Sequence, residues 1–456
     1  MSNQLPFGFG REPSDSGGDD LSNQMPLLAE LQKLFSWSGG PVNWDLAKQM
    51  AVSGLSGANP GYSPAERTAI IEAIRLADLW LDEVTDLPSG VQSIESWTRL
   101  DWLERTLPVW KKLCDPVAER VVAAMSSALP GQPDESGEQA PSASEVAGLG
   151  GLSGLGGLSG LGGLGALGGM AGNLPIAGIM NQIGGVMFGA QVGQGLSGLA
   201  REVVGATDIG VPLGPDGVAA LVPANVVAFG EGLGRPGEEV LLYLALREAA
   251  HQRLFTHVPW LRQRLLASVE SYSRGISVDL SAIERAMSEV DPSNPESVQQ
   301  ALSGGLFEPE QTPEQHAALR RLETLLALVE GWVDAVVAAA AGERMPGADA
   351  LREASRRRRA SGGPAEQTFA TLVGLELRPR RLREAAALWW SVTDKHGVAG
   401  RDGIWGHPDL LPTADDLDDP LGFAETLGLD SGLTAPSDAA PEDDASKGLH
   451  KPDADG

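Results

Sequence analysis

The sequence predicts a mainly α-helical protein with at most a minor β element. Apolar residues recur at helical spacing behind proline and capping-box starts over most of the chain. Turn-flanked short apolar runs, the signature of strands, are confined to about residues 207–222. Glycine (58) and proline (31) make up about a fifth of the 456 residues, so part of the chain belongs to tails and linkers rather than a packed core.

Residues 1–24 are rich in Gly, Ser and Asp and have little to bury, which predicts a disordered acidic tail. Residues 25–128 form a helical subdomain. In it Ser63-Pro64-Ala65-Glu66 supplies an N-cap, a first-turn proline and a capping-box glutamate, followed by Ile70, Ile71, Ile74, Ala77 and Leu81 on one stripe. Trp80, Trp97, Trp102 and Trp110 read as interhelical packing rather than a ligand cage. A polar linker and a Gly/Leu low-complexity segment span 129–172, with LSGLGG at 152–157 and again at 158–163.

No charged residue occurs between Glu145 and Arg201. Asn181, Gln182, Gln191, Gln194 and many glycines nevertheless argue against membrane spanning. Gly185, Gly189, Gly193 and Ser197, four apart, predict a closely packed buried helix, and the first three offer a surface for homo-oligomerisation. Around Asp208–Val222 a small strand or hairpin is expected.

A larger helical domain covers 173–425. Arg235-Pro236-Gly237-Glu238-Glu239 starts a helix continuing through Val240–Phe255, and further helices are expected at Pro259–Gly275, Asp279–Val290, from Thr312 to Ala341, and last at Arg380–Lys395. Residues 426–456 form a second disordered acidic tail. From Asp409 to Gly456 the chain carries 13 acids and 2 lysines.

Charge and cysteine usage narrow the function classes. A net charge of -27 disfavours nucleic acid and anionic membrane as partners. The single Cys114 excludes intramolecular disulfides and cysteine zinc clusters, so any metal must be held by His, Asp and Glu. The N-terminus lacks a basic and apolar leader, and the expected compartment is the cytoplasm. P-loop and nucleophile-elbow motifs are absent from the sequence.

Two constellations remain. Arg247, Glu248 and His251 share one helical face with the spacing of H-E-x-x-H, where two histidines bind zinc and the glutamate deprotonates bound water. Here arginine stands at the first position. On the long helix Glu330 and Asp334 lie one turn apart inside the apolar run LLALVEGWVDAVV, and buried carboxylates demand a cation or another partner. Two readings follow: a zinc site with Glu248 as base and His251 and Glu330 as ligands, or a salt bridge from Arg247 to Glu330 or Asp334 without metal. His257 or His316 could substitute as a ligand, although both read more simply as structural or surface residues. The Arg356–Arg359 run has the acidic tail, or solvent on a loop ending at Gly362-Gly363, as its simplest partner.

These residues resemble a known family, the zincin-like metallopeptidases of actinobacteria. The likeness is carried by ALREAAHQRLFTHVPWLR and LVEGWVDAVV. It extends from VNWDLAKQMA at Asn43 through MFGAQVG, ATDIGVPL, VPANVVAFGEGL and GLELRPRRLREAAALW to IWGHPDLLPTADDLDDP near residue 420. A related subfamily, linked to deazaflavin-cofactor biosynthesis, keeps an intact H-E-x-x-H and an E-G-H. The resemblance implies a multi-helix zincin-like fold, a peptide or protein substrate or partner, Glu248 as general base, His251 as zinc ligand and Glu330 as a further ligand. It implies nothing for Arg247 or Trp332, which depart from the motifs, and a catalytically silent descendant is the competing expectation.

Overall fold

The structure is a computed structural model that describes residues 40–127, 176–274, 313–360 and 381–427. The two tails, the linker with its repeat and the helix expected at Asp279–Val290 lie outside the described residues. Helix α1 (Trp44–Gly54) is capped by the Asn43 side chain. Helix α2 (Pro64–Leu81) starts at the expected capping box, with the Glu66 amide donating to Ser63 Oγ and the Ser63 amide to Glu66 Oε2. It buries Ile70, Ile74, Ala77 and Leu81. After β1 (Ser93–Ser96) comes the long α3 (Arg99–Ser127), where Trp102 and Trp110 are buried. Trp97 is also buried, whereas Trp80 is half-exposed beneath the Arg344 guanidinium.

Helix α4 (Ile176–Ala200) carries the small-residue stripe. A Cβ at Gly189 would come 2.5 Å from the Asn43 carbonyl oxygen, and one at Gly193 2.5 Å from that of Ala47. The Asn43 amide also donates to the Gly185 carbonyl. The stripe thus meets α1 of the same chain, and the face that offered a self-association surface is occupied internally.

Of the small strand or hairpin expected here, the strand forms: β2 (Val218–Leu221) meets Gly205 in an isolated antiparallel bridge and runs parallel to β1, with Ser93 opposite Val218 and Ser96 opposite Leu221. Turn residues mark where a chain bends but not which distant segment it then pairs with. Here Gly210 and Gly217, both at positive φ, fold the 205–217 loop back along the strand.

The remaining elements are α5 (Pro223–Gly230), α6 (Gly237–His257), α7 (Pro259–Arg274), α8 (Pro313–Ala341), α9 (Ala348–Ala360), α10 (Leu382–Gly403), α11 (Ala414–Asp418) and α12 (Pro420–Thr426). Helix α10 is kinked at Gly397 and is followed by two short helices that pack on it, so the helical fold continues past Lys395. Helix α8 packs against α6, α7 and α10, and one hydrophobic core joins α1–α3 to these helices. The stretch Pro313–Arg344 is long and apolar enough to cross a membrane, but 83% of its most apolar window is buried inside the protein, as in a core helix. The central α6–α8 pair brings the two sequence constellations face to face.

Candidate functional site

Helix α6 has little free surface from Val240 to Leu254, so Arg247, Glu248, His251 and Gln252 are all buried. Facing them on α8 are Glu330 and Asp334, also buried. Polar groups in such a setting must be satisfied inside the protein. Gly331 permits the close approach of α10, since a Cβ there would lie 2.7 Å from that of Ala385. Trp332 donates its indole N–H to Asp402 Oδ1 of α10.

Glu330 is held by three side chains. Arg247 Nη2 donates to Oε2 at 2.6 Å, Arg359 Nη2 donates to Oε1 at 2.8 Å, and His251 Nε2 lies 3.1 Å from Oε1. Burial alone would raise the Glu330 pKa. The charges of Arg359 and Arg247, with His251, outweigh it and hold the carboxyl well below its ordinary range. The Arg247 pKa is pushed up in turn, with Glu330, Tyr243 and Asp334 overcoming its own desolvation.

Glu248 sits in a different environment. Its Oε2 accepts from the Thr207 amide at 3.1 Å and hydroxyl at 2.7 Å, and its Oε1 from Gln252 Nε2 at 3.0 Å. Burial raises its pKa above the usual carboxylate value, and these neutral donors offset the rise only in part. The loop supplying Thr207 closes over both carboxylates: a Cβ at Gly205 would lie 2.7 Å from Glu248 Oε2, and one at Gly210 2.7 Å from Glu330 Oε1.

Asp334, which the sequence offered as a partner for Arg247, is bound by Arg352 and Arg356 instead. Arg358 pairs with Asp208 at 3.2 Å. The Arg356–Arg359 run is therefore not a loop facing solvent or the tail. It belongs to α9, which delivers Arg356, Arg358 and Arg359 to carboxylates inside the fold and leaves Arg357 outside on Glu353. The signal was present in the spacing. Residues 352, 356 and 359 fall at i, i+4 and i+7, one helical face, which matches a line of buried acids better than a solvated loop. Thr207 and Gln252 carried no comparable signal.

His251 and Glu330 come together as the zinc reading requires, and their separation is compatible with two atoms sharing one zinc at bonds of about 2.0–2.1 Å. The rest of the donor set does not fit the ion. Both Glu330 oxygens already accept from guanidiniums, which would stand beside the dication as permanent positive charges. His251 Nδ1 lies 2.8 Å from the Arg247 carbonyl and Nε2 faces a carboxylate, so both ring nitrogens are aimed at acceptors. His257 is exposed and lies 3.3 Å from the Ser89 carbonyl, and His316 is exposed on the first turns of α8. Among the described residues no group of three His, Cys, Asp or Glu side chains is arranged to hold a metal. These residues do not fit a catalytic zinc ion.

The crystal structure of a "putative hydrolase with a novel fold" from Chloroflexus aurantiacus is similar in fold. It has a TM-score of 0.53 and 19% identity over 84% of this chain and 98% of that one. No curated protein matches the sequence. The family model described as zincin-like metallopeptidase matches residues 42–424, which include every element from α1 to α11 and all the site residues described above. The chain belongs to the zincin-like metallopeptidase family.

Proposed function

We propose that this chain keeps the metallopeptidase fold of its family as a non-catalytic scaffold, in which Arg247 replaces the metal and pairs with Glu330. The observation that carries the reading is the clamp of Arg247 and Arg359 on the two oxygens of Glu330. A buried carboxylate needs a cation, and two guanidiniums supply that charge at hydrogen-bond distance. Glu248 is likewise engaged by Thr207 and Gln252, with Gly205 packed against its carboxylate.

A second reading, a zincin-like hydrolase, is favoured by family membership and by Glu248 itself. This carboxylate has a raised pKa three residues before His251, as a general base would.

Elemental mass spectrometry on untagged protein separates the two. The native chain is expected to carry well under one zinc. The variant R247H/R359A, which restores H-E-x-x-H and frees Glu330, should gain a site approaching one zinc per chain. Zinc near one per native chain, lost in H251A, would refute the metal-free reading and call for a peptidase assay with E248A as the inactive control.

A further inference from the structure

Away from this site, helices α7 and α8 and the segment 408–415 enclose a groove of about 740 Å³. Arg264 of α7 and Arg320 and Arg321 of α8 line it, above a floor that includes Leu325 and Leu328. These three guanidiniums form no hydrogen bond or ion pair with the described residues, whereas the arginines of α9 and the buried Arg247, Arg253 and Arg401 are all paired. In a chain with a net charge of -27, three unpaired cations in one concavity stand out against an excess of acid. Asp409 and Asp415 line the groove as well, so acidic groups of an occupant must lie against the helical wall.

We propose that this groove binds the chain's own acidic C-terminal segment, residues 428–456. The segment carries seven acids against two lysines, and its first part, GLDSGL, adds Leu429 and Leu433 for the apolar floor. It follows α12, which packs on α11, and Ala414 and Asp415 of that stretch already line the groove. Extended, 29 residues reach on the order of 95 Å, so chain length does not prevent the return. Charge-assisted contacts to arginine and burial of leucine are the forces that would seat it. The proposal stands apart from the question of zinc.

The test uses the full chain with Asp430, Asp438, Glu442, Asp443 and Asp444 replaced by Asn or Gln, and a fluorescein-labelled peptide of residues 428–446 read by anisotropy. The neutralised chain should bind the peptide at low salt, and binding should weaken by about tenfold or more as ionic strength screens the contacts. The native chain should bind at least about tenfold more weakly, because its tethered segment competes at high effective concentration. Adding R264A/R320A/R321A should abolish binding while leaving the helical circular dichroism unchanged, since all three side chains are exposed. No binding by the neutralised chain, or undiminished binding by the triple variant, would overturn the proposal. Equal binding by native and neutralised chains would overturn it too, and would make the groove a receptor for an acidic segment from another molecule.

Discussion

Two buried glutamates on facing helices are stabilised by opposite means. Glu330 accepts from Arg247 and Arg359, so its ionised form is favoured. Glu248 accepts only from neutral donors, Thr207 and Gln252, and burial tilts it towards the protonated form. The difference teaches that burial alone does not set a carboxylate's charge: neutral donors leave the Glu248 pKa raised, whereas two guanidiniums make Glu330 one corner of an ion cluster.

The largest effect should come from breaking the charged side of this comparison. E330L leaves Arg247 and Arg359 buried without a counter-charge and should destabilise the protein by about 3–5 kcal/mol in urea unfolding. The triple variant R247M/R359M/E330L removes all three charges and should recover most of that loss. A small effect of E330L would show that solvent or another acid compensates the arginines.

On the neutral side, E248A strands the Thr207 and Gln252 donors and should cost about 1–3 kcal/mol. A cost matching that of E330L would erase the distinction between the two pockets.

The pH dependence separates the two carboxylates by sign. Glu330 has a depressed folded pKa, so its contribution is complete above the unfolded value of about 4.5 and is lost as pH falls through the folded one. Glu248 has a raised folded pKa, so its protonated form adds stability below about 4.5, and that contribution fades as pH rises through the folded value. Stability followed from pH 3 to 8 should therefore lose, in R247M/R359M/E330L, the part of its acid sensitivity that Glu330 contributes. E248Q should instead flatten the decline on the alkaline side of that window. Identical profiles for the two variants would contradict the assignment. The smallest effect is expected for R357A, whose side chain pairs with Glu353 on the outer face of α9, and its melting temperature should match that of the native chain.

Much of this site was legible in one dimension. Capping boxes and apolar periodicity located α2, α6 and α8, because those signals lie within a few residues of one another. Helical spacing likewise put Arg247, Glu248 and His251 on one face, and an acid pair in an apolar run announced an unidentified cation. The identity of that cation was harder to read. Arg359 lies 29 residues from Glu330, and Asp334 finds its arginines at Arg352 and Arg356 rather than at Arg247. The parallel β1–β2 pair and the Thr207 contact to Glu248 escaped for the same reason: each joins segments whose local sequences say nothing of each other.

By itself, the sequence determined the helical class, the helix starts and the need to neutralise Glu330, since periodicity, capping and the cost of burying charge act locally or on composition. The tertiary structure alone decided that two arginines meet that need, and that the glycine stripe of α4 is spent on α1. Choosing among several chemically adequate partners depends on which helices pack side by side, and that choice belongs to the core as a whole.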